Sequence, residues 1–156
     1  MPSRSRPAGS PRTAALAWLG RRDYTTRELT DKLRDRGYAH ADIESVVRSL
    51  TADGLLDDRR AAAAHVRTAS KVKGRGRVRI AHELASRGVS GALADELLAR
   101  LSAEDETEAI RRILTRRRWP SRPTLADRRR MFRHLLRRGF PADAIAKALR
   151  PNADDD

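Results

Sequence analysis

Ala15, Trp18 and Leu19 recur at the i, i+3, i+4 spacing of a helix face, and Leu29 with Leu33 continues the 3.6-residue period. Ile43, Val46, Val47 and Leu50 form a third stripe. The pattern predicts a short first helix ending near Gly20 or Arg22, with Ser10 as N-cap, Pro11 at the first helical position and Trp18 in the core. A second helix runs from about Thr26 to Arg36, opened by the capping-box spacing of Thr25 and Glu28. A third closes at Asp53 and Gly54. Ala62, His65, Val66 and Ala69 predict a fourth helix from about Asp58 to Val72, interrupted by Gly74 and Gly76. Ile80 and Leu84 mark a fifth, Ala94, Leu97, Leu98 and Leu101 a sixth, and Ala109, Ile110, Ile113 and Leu114 a seventh with an acidic first turn. Arg116 to Pro123 holds two prolines and reads as a basic linker. Met131 and Leu135 belong to an eighth helix, Ile145, Ala148 and Leu149 to a ninth that stops at Pro151. Nothing reads as a strand, so the class is all-α.

The stripes repeat. Leu33 to Tyr38, Leu84 to Val89 and Leu135 to Phe140 each run from leucine through arginine and glycine to a closing apolar residue, and Gly37, Gly88 and Gly139 are separated by 51 positions each. A period that survives two steps is the mark of an internal repeat. The expectation is three tandem three-helix repeats: 13–54, 55–103 and 104–151, with a disordered basic arm at 1–12 and an acidic tail at 152–156. Units of this size bury little surface alone and are expected to pack end to end.

Charge differs between the units. The chain of 156 residues carries a net +13, but the arm and tail cancel at +3 and −3, residues 13–57 carry −1, residues 58–103 carry +6 and residues 104–153 carry +8. The basic field therefore lies on the second and third units and suits a polyanion or a protein–polyanion complex. Within it, Lys71, Lys73, Arg75, Arg77 and Arg79 place a cation at every second position around Gly74 and Gly76. This reads as a mobile basic hinge able to meet phosphates or an acidic protein surface; the competing reading is a solvated loop whose charge only prevents aggregation. Arg130, Arg133 and Arg137 share a face of the eighth helix, away from Met131 and Leu135, where their mutual repulsion invites a counter-charge from outside.

Other chemistry is scarce. There is no cysteine, hence no disulfide or thiolate metal site. His40, His65, His82 and His134 are isolated, no Walker loop or Gly-x-Ser-x-Gly occurs, and His82 beside Glu83 reads as ordinary surface. The expectation is a non-enzymatic protein with no cofactor or metal. Helix, glycine turn, helix resembles a DNA-reading helix-turn-helix. The residues after each glycine, such as Tyr38, Ala39 and His40, or Val89, Ser90 and Gly91, do not make a major-groove recognition helix. No apolar run is long enough for a membrane span and no signal peptide is visible, so a soluble cytoplasmic protein, monomeric and away from membranes, is expected.

The chain resembles the RecX family, regulators of the RecA recombinase. The resemblance is carried by Gly54, Leu55, Leu56, Asp57, Asp58 and Arg59 with Ala61 and Ala62; by Lys73, Gly74, Arg77, Ile80, Glu83, Leu84, Arg87, Gly88 and Val89; and by Leu135, Arg137, Arg138, Gly139, Phe140 and Ile145. It implies an elongated, curved array that binds the RecA–DNA filament, in its groove or at its growing end. It also implies inhibition of RecA strand exchange, ATPase and LexA-cleavage co-protease activity, in recombination, DNA repair and the SOS response. Ala61 to Ala64 stand where the family places an aromatic, which implies a less bulky second core. The contact candidates for RecA or DNA are Lys71, Lys73, Arg75, Arg77, Arg79, Arg130, Arg133 and Arg137. The alternative is a non-specific binder of single- or double-stranded DNA acting through the phosphate backbone.

Overall fold

The computed structural model describes residues 9–150, so most of the basic arm and all of the acidic tail lie outside the described residues. Among the described residues the secondary structure is helical throughout: α1 (Pro11–Leu19), α2 (Thr26–Asp35), α3 (His40–Ala52), α4 (Asp58–Arg67), α5 (Arg77–Ser86), α6 (Gly91–Ala99), α7 (Ala103–Arg116), α8 (Leu125–Arg137) and α9 (Ala142–Ala148). Pro11 and Arg12 belong to α1, and Arg12 pairs with Asp53 at the end of α3.

Each group of three helices closes on its own core. Ala15, Tyr24, Leu29, Leu33, Ile43, Leu50 and Leu56 fill the first. The second consists of Ala62, Val66, Ala69, Ile80, Leu84, Val89, Ala94, Leu97 and Leu98, without an aromatic side chain. Phe140 with Ile110, Met131, Leu135 and Ile145 anchors the third. Trp18 is only partly buried against the first core, and one face of its ring carries the Lys32 ammonium at 4.6 Å, a cation–π contact rather than full enclosure.

The fourth helix departs from the sequence expectation. Regular α-helix stops at Arg67, and Thr68–Val72 form a π-helical turn. Ser70 Oγ donates to the Val66 carbonyl at 2.8 Å, competing with the backbone ladder, and the wider turn keeps Ala69 fully buried in the core. Lys73 N then bonds Thr68 O at 3.1 Å and Arg75 N bonds Ala69 O at 2.9 Å, so the chain unwinds in steps toward Gly74.

Successive units are joined by one device used twice. At the first joint the Thr25 hydroxyl, fully buried, donates to Arg87 O at 2.6 Å, and Thr26 N donates to Asp58 Oδ1 at 2.6 Å. One period on, Gly76 N donates to Arg138 O at 2.8 Å, and Arg77 N points at Glu106 Oε1 at 3.4 Å. Residues 25, 26 and 87 thus map onto 76, 77 and 138. In both cases the start of a unit's second helix docks on the glycine cap of the next unit, and an acid from the next unit's first helix meets the N1 backbone N–H. α2 brings its own capping box. α5 begins at Gly76 without a side-chain cap, and its orphan donors are satisfied across the joint, with Val78 N adding a bond to Gly139 O at 3.1 Å.

Candidate partner-binding surface

The basic run around Gly74 is not a free hinge. Its five cations fall on a π-turn, an irregular turn and the first turn of α5, so the every-second-residue spacing does not build one common face. Arg75 and Arg79 both reach Glu83, the latter at 3.1 Å. Arg77 lies against Glu106, with Nε 3.1 Å from Oε1, and its Nη2 donates to Leu101 O at 2.7 Å. The Arg77 Nε–H does not aim at the carboxylate, so the pair is an ionic contact rather than a linear hydrogen bond. Lys71 and Lys73 stand exposed.

Glu83 is the hub that the sequence hid beside His82. Besides the two arginines, its Oε2 lies 2.8 Å from His65 Nε2. Burial alone would raise its pKa, yet hydrogen bonds from Arg75, Arg79 and His65 hold the carboxyl below its ordinary value. His65 shifts down because burial disfavours its charged form and Arg87 repels it, despite Glu83.

The arginine before each repeated glycine, Arg36, Arg87 and Arg138, is a second residue set that the repeat marks without explaining. Arg87 lies 3.5 Å from Glu28 of the first unit, and Arg138 Nη1 donates to Lys73 O and Gly74 O of the second at 2.9 and 3.2 Å. Arg138 Nε also donates to His134 Nε2 at 3.2 Å. Burial, then the positive charge of Arg117, Arg79, Arg116 and Arg75, pulls the Arg138 pKa down. The same crowding, again after burial, lowers His134. The second joint is therefore a concentration of positive charge that one carboxylate, Glu83, shared by Arg75 and Arg79, neutralises only in part.

The face expected on α8 splits. Arg130 pairs with Asp127 at 3.0 Å. Arg137 instead joins Arg79, whose Nη1 lies 3.5 Å from the Arg137 carbonyl; with Val78, His82 and Leu136 they line a groove at the joint. Arg133 turns to the other side and lines a separate cleft between α8 and α9. Of the eight predicted contact residues, Lys71, Lys73, Arg133 and Arg137 are exposed with no ion pair among the described residues, whereas Arg75, Arg77, Arg79 and Arg130 already hold acids. No cluster of metal-ligating residues occurs among the described residues, and no described helix is long and apolar enough to cross a membrane.

Three helical units locked cap to helix start, with exposed unpaired cations on the last two, define a tandem-repeat helical scaffold. Family profiles match all three units: the RecX first three-helix domain over residues 12–50, the second over 57–98 and the third over 104–149. The chain belongs to the RecX family. It is 40% identical to the Regulatory protein RecX of Halorhodospira halophila, covering 93% of this chain and 89% of that protein. The namesake from Pelodictyon phaeoclathratiforme is 35% identical, with 92% of each chain covered. The crystal structure of RecX from Lactobacillus salivarius shares the fold at a TM-score of 0.77 and 23% identity, over 89% of this chain and 92% of that one.

Proposed function

We propose that this protein regulates RecA by binding the RecA–DNA filament through the basic surface of its second and third units, restraining strand exchange, ATPase and co-protease activity. It acts by occupancy rather than catalysis, as a monomer in the cytoplasm where RecA works. Family membership supports the class. The observation that carries the reading is the second joint, where exposed Lys73 and Arg137 hold no ion pair and stand beside arginines that Glu83 alone offsets only in part. A filament offers what such a surface lacks, phosphates and acidic side chains side by side.

The test replaces Lys71, Lys73, Arg133 and Arg137 with alanine, leaving the internally paired arginines intact. Inhibition of RecA's DNA-dependent ATPase should require roughly tenfold more protein, since each exposed charge contact contributes only about 0.2–1 kcal/mol, and helicity by circular dichroism should not change. Undiminished inhibition refutes this surface as the contact. The partly offset arginines also favour a second reading, phosphate binding without RecA. In that case affinity for bare DNA falls steeply with salt, and no RecA is retained in a DNA-free pull-down.

A further inference from the structure

A cleft of about 560 Å³ between α8 and α9 has a floor of Phe132, Ala146 and Leu149 and a rim of Arg128, Arg129, Arg133 and Arg150. None of the four arginines has an ion-pair partner among the described residues; the ion pairs made by arginines of this unit use Arg111 and Arg130. Arg128 Nε itself is enclosed and meets no acceptor, so contact with an anion falls to the outer guanidinium groups of the rim, whose hold an apolar floor strengthens. The site asks for carboxylates or phosphates on a small apolar backbone.

The sequence supplies such a segment at the cleft's own rim. Arg150 is followed by Pro151, Asn152, Ala153, Asp154, Asp155 and Asp156. Pro151 cannot continue the line of α9. Six residues reach at most about 20 Å when extended, enough to cross a cleft that begins at the preceding residue. The segment carries three aspartates against four arginines on the rim, and the covalent connection gives it an effective concentration that a foreign acidic peptide has to match.

We propose that the acidic segment Asp154–Asp156 docks in the arginine-rimmed cleft of the third unit and screens its cations until a polyanionic partner displaces it. The segment competes with the partner for Arg133, which makes the third unit the part of the surface whose availability is regulated. Occupancy of the cleft by the segment stands or falls without reference to RecA.

The absence of cysteine makes the test clean. Ala146→Cys in the exposed part of the cleft and Ala153→Cys in the tail, introduced together, should form a disulfide under mild oxidation. Connectivity alone brings these positions near each other, so the deciding arm is the same pair with Asp154, Asp155 and Asp156 changed to Asn. Three exposed pairs, each contributing a factor of two or three, predict bond formation about tenfold slower in that variant and in 1 M salt. An equal rate with and without the aspartates overturns the proposal. So does an oligothymidylate that shields the thiol of the single Ala146→Cys variant from labelling equally well with Asp and Asn tails, because the occupant is then foreign phosphate.

Discussion

Replacing Gly76 with alanine adds one Cβ at a residue whose backbone (φ −82°, ψ 165°) any amino acid adopts. In isolation such a change restricts the unfolded chain and stabilises a protein by about 0.4–1 kcal/mol. Here the new carbon would sit 2.3 Å from Gly139 O and 2.4 Å from Phe140 N, backbone atoms of the next unit that have no rotamer to move. The joint has to open. The hydrogen bonds from Gly76 N to Arg138 O and from Val78 N to Gly139 O go with it, and at roughly 1 kcal/mol each, plus buried acceptors left unpaired, the loss is about 2–4 kcal/mol. Gly54 is the control for backbone strain, since its φ is +70° and a Cβ there meets nothing within 4 Å, so G54A should cost only about 1 kcal/mol. The tryptophans allow the ends to be read separately, Trp18 on the first core and Trp119 on the third. In urea, G76A should lower the Trp119 midpoint in a Trp18→Phe background well beyond any shift of the Trp18 midpoint in a Trp119→Phe background. A G76A protein as stable as the parent, or more so, refutes the joint geometry.

Two further predictions concern charge at the same place. Glu106, 8% exposed, meets the α5 N-terminus and Arg77. Glu106→Ala should cost about 1–3 kcal/mol in urea denaturation, below the full penalty for breaking a buried pair because Arg77 is about a third exposed. Stability should also fall in two acid windows. His65 and His134 have pKa values depressed below 6.5, so the folded state binds fewer protons than the unfolded one and stability declines as pH drops below about 6.5. Glu83, depressed below 4.5, contributes stability that is present above that value and lost as pH falls through its folded pKa. Thermal melts of His65→Gln should show a shallower decline in the first window and the second one retained.

Much of the architecture was legible because it is local. The stripes, the Thr25 capping box and the glycine caps each depend on residues within two turns of one another, and the 51-residue period then aligned the units. The joints were not legible for a physical reason: a period says which residues are equivalent and not which ones touch. Arg36, Arg87 and Arg138 precede the three glycines, a repeated signal, yet their partners lie in the neighbouring unit or on an aromatic ring. The alternating cations read as a mobile basic hinge. The chain instead passes through a π-turn and Gly74 (φ +57°) into a helix, which sends Arg75, Arg77 and Arg79 to three internal contacts. Glu83 looked like surface because its three partners are 18, 8 and 4 residues away.

In the proposed mode of action the charged surface of units two and three, and not unit one, faces the filament. A photo-cross-linking amino acid placed in turn at Lys73, at Arg137 and at Arg34 of the nearly neutral first unit measures this directly. With RecA assembled on single-stranded DNA, cross-links to RecA or DNA should form from positions 73 and 137 and be at least several-fold weaker from position 34. Equal yields from all three, or the strongest from position 34, would contradict that orientation.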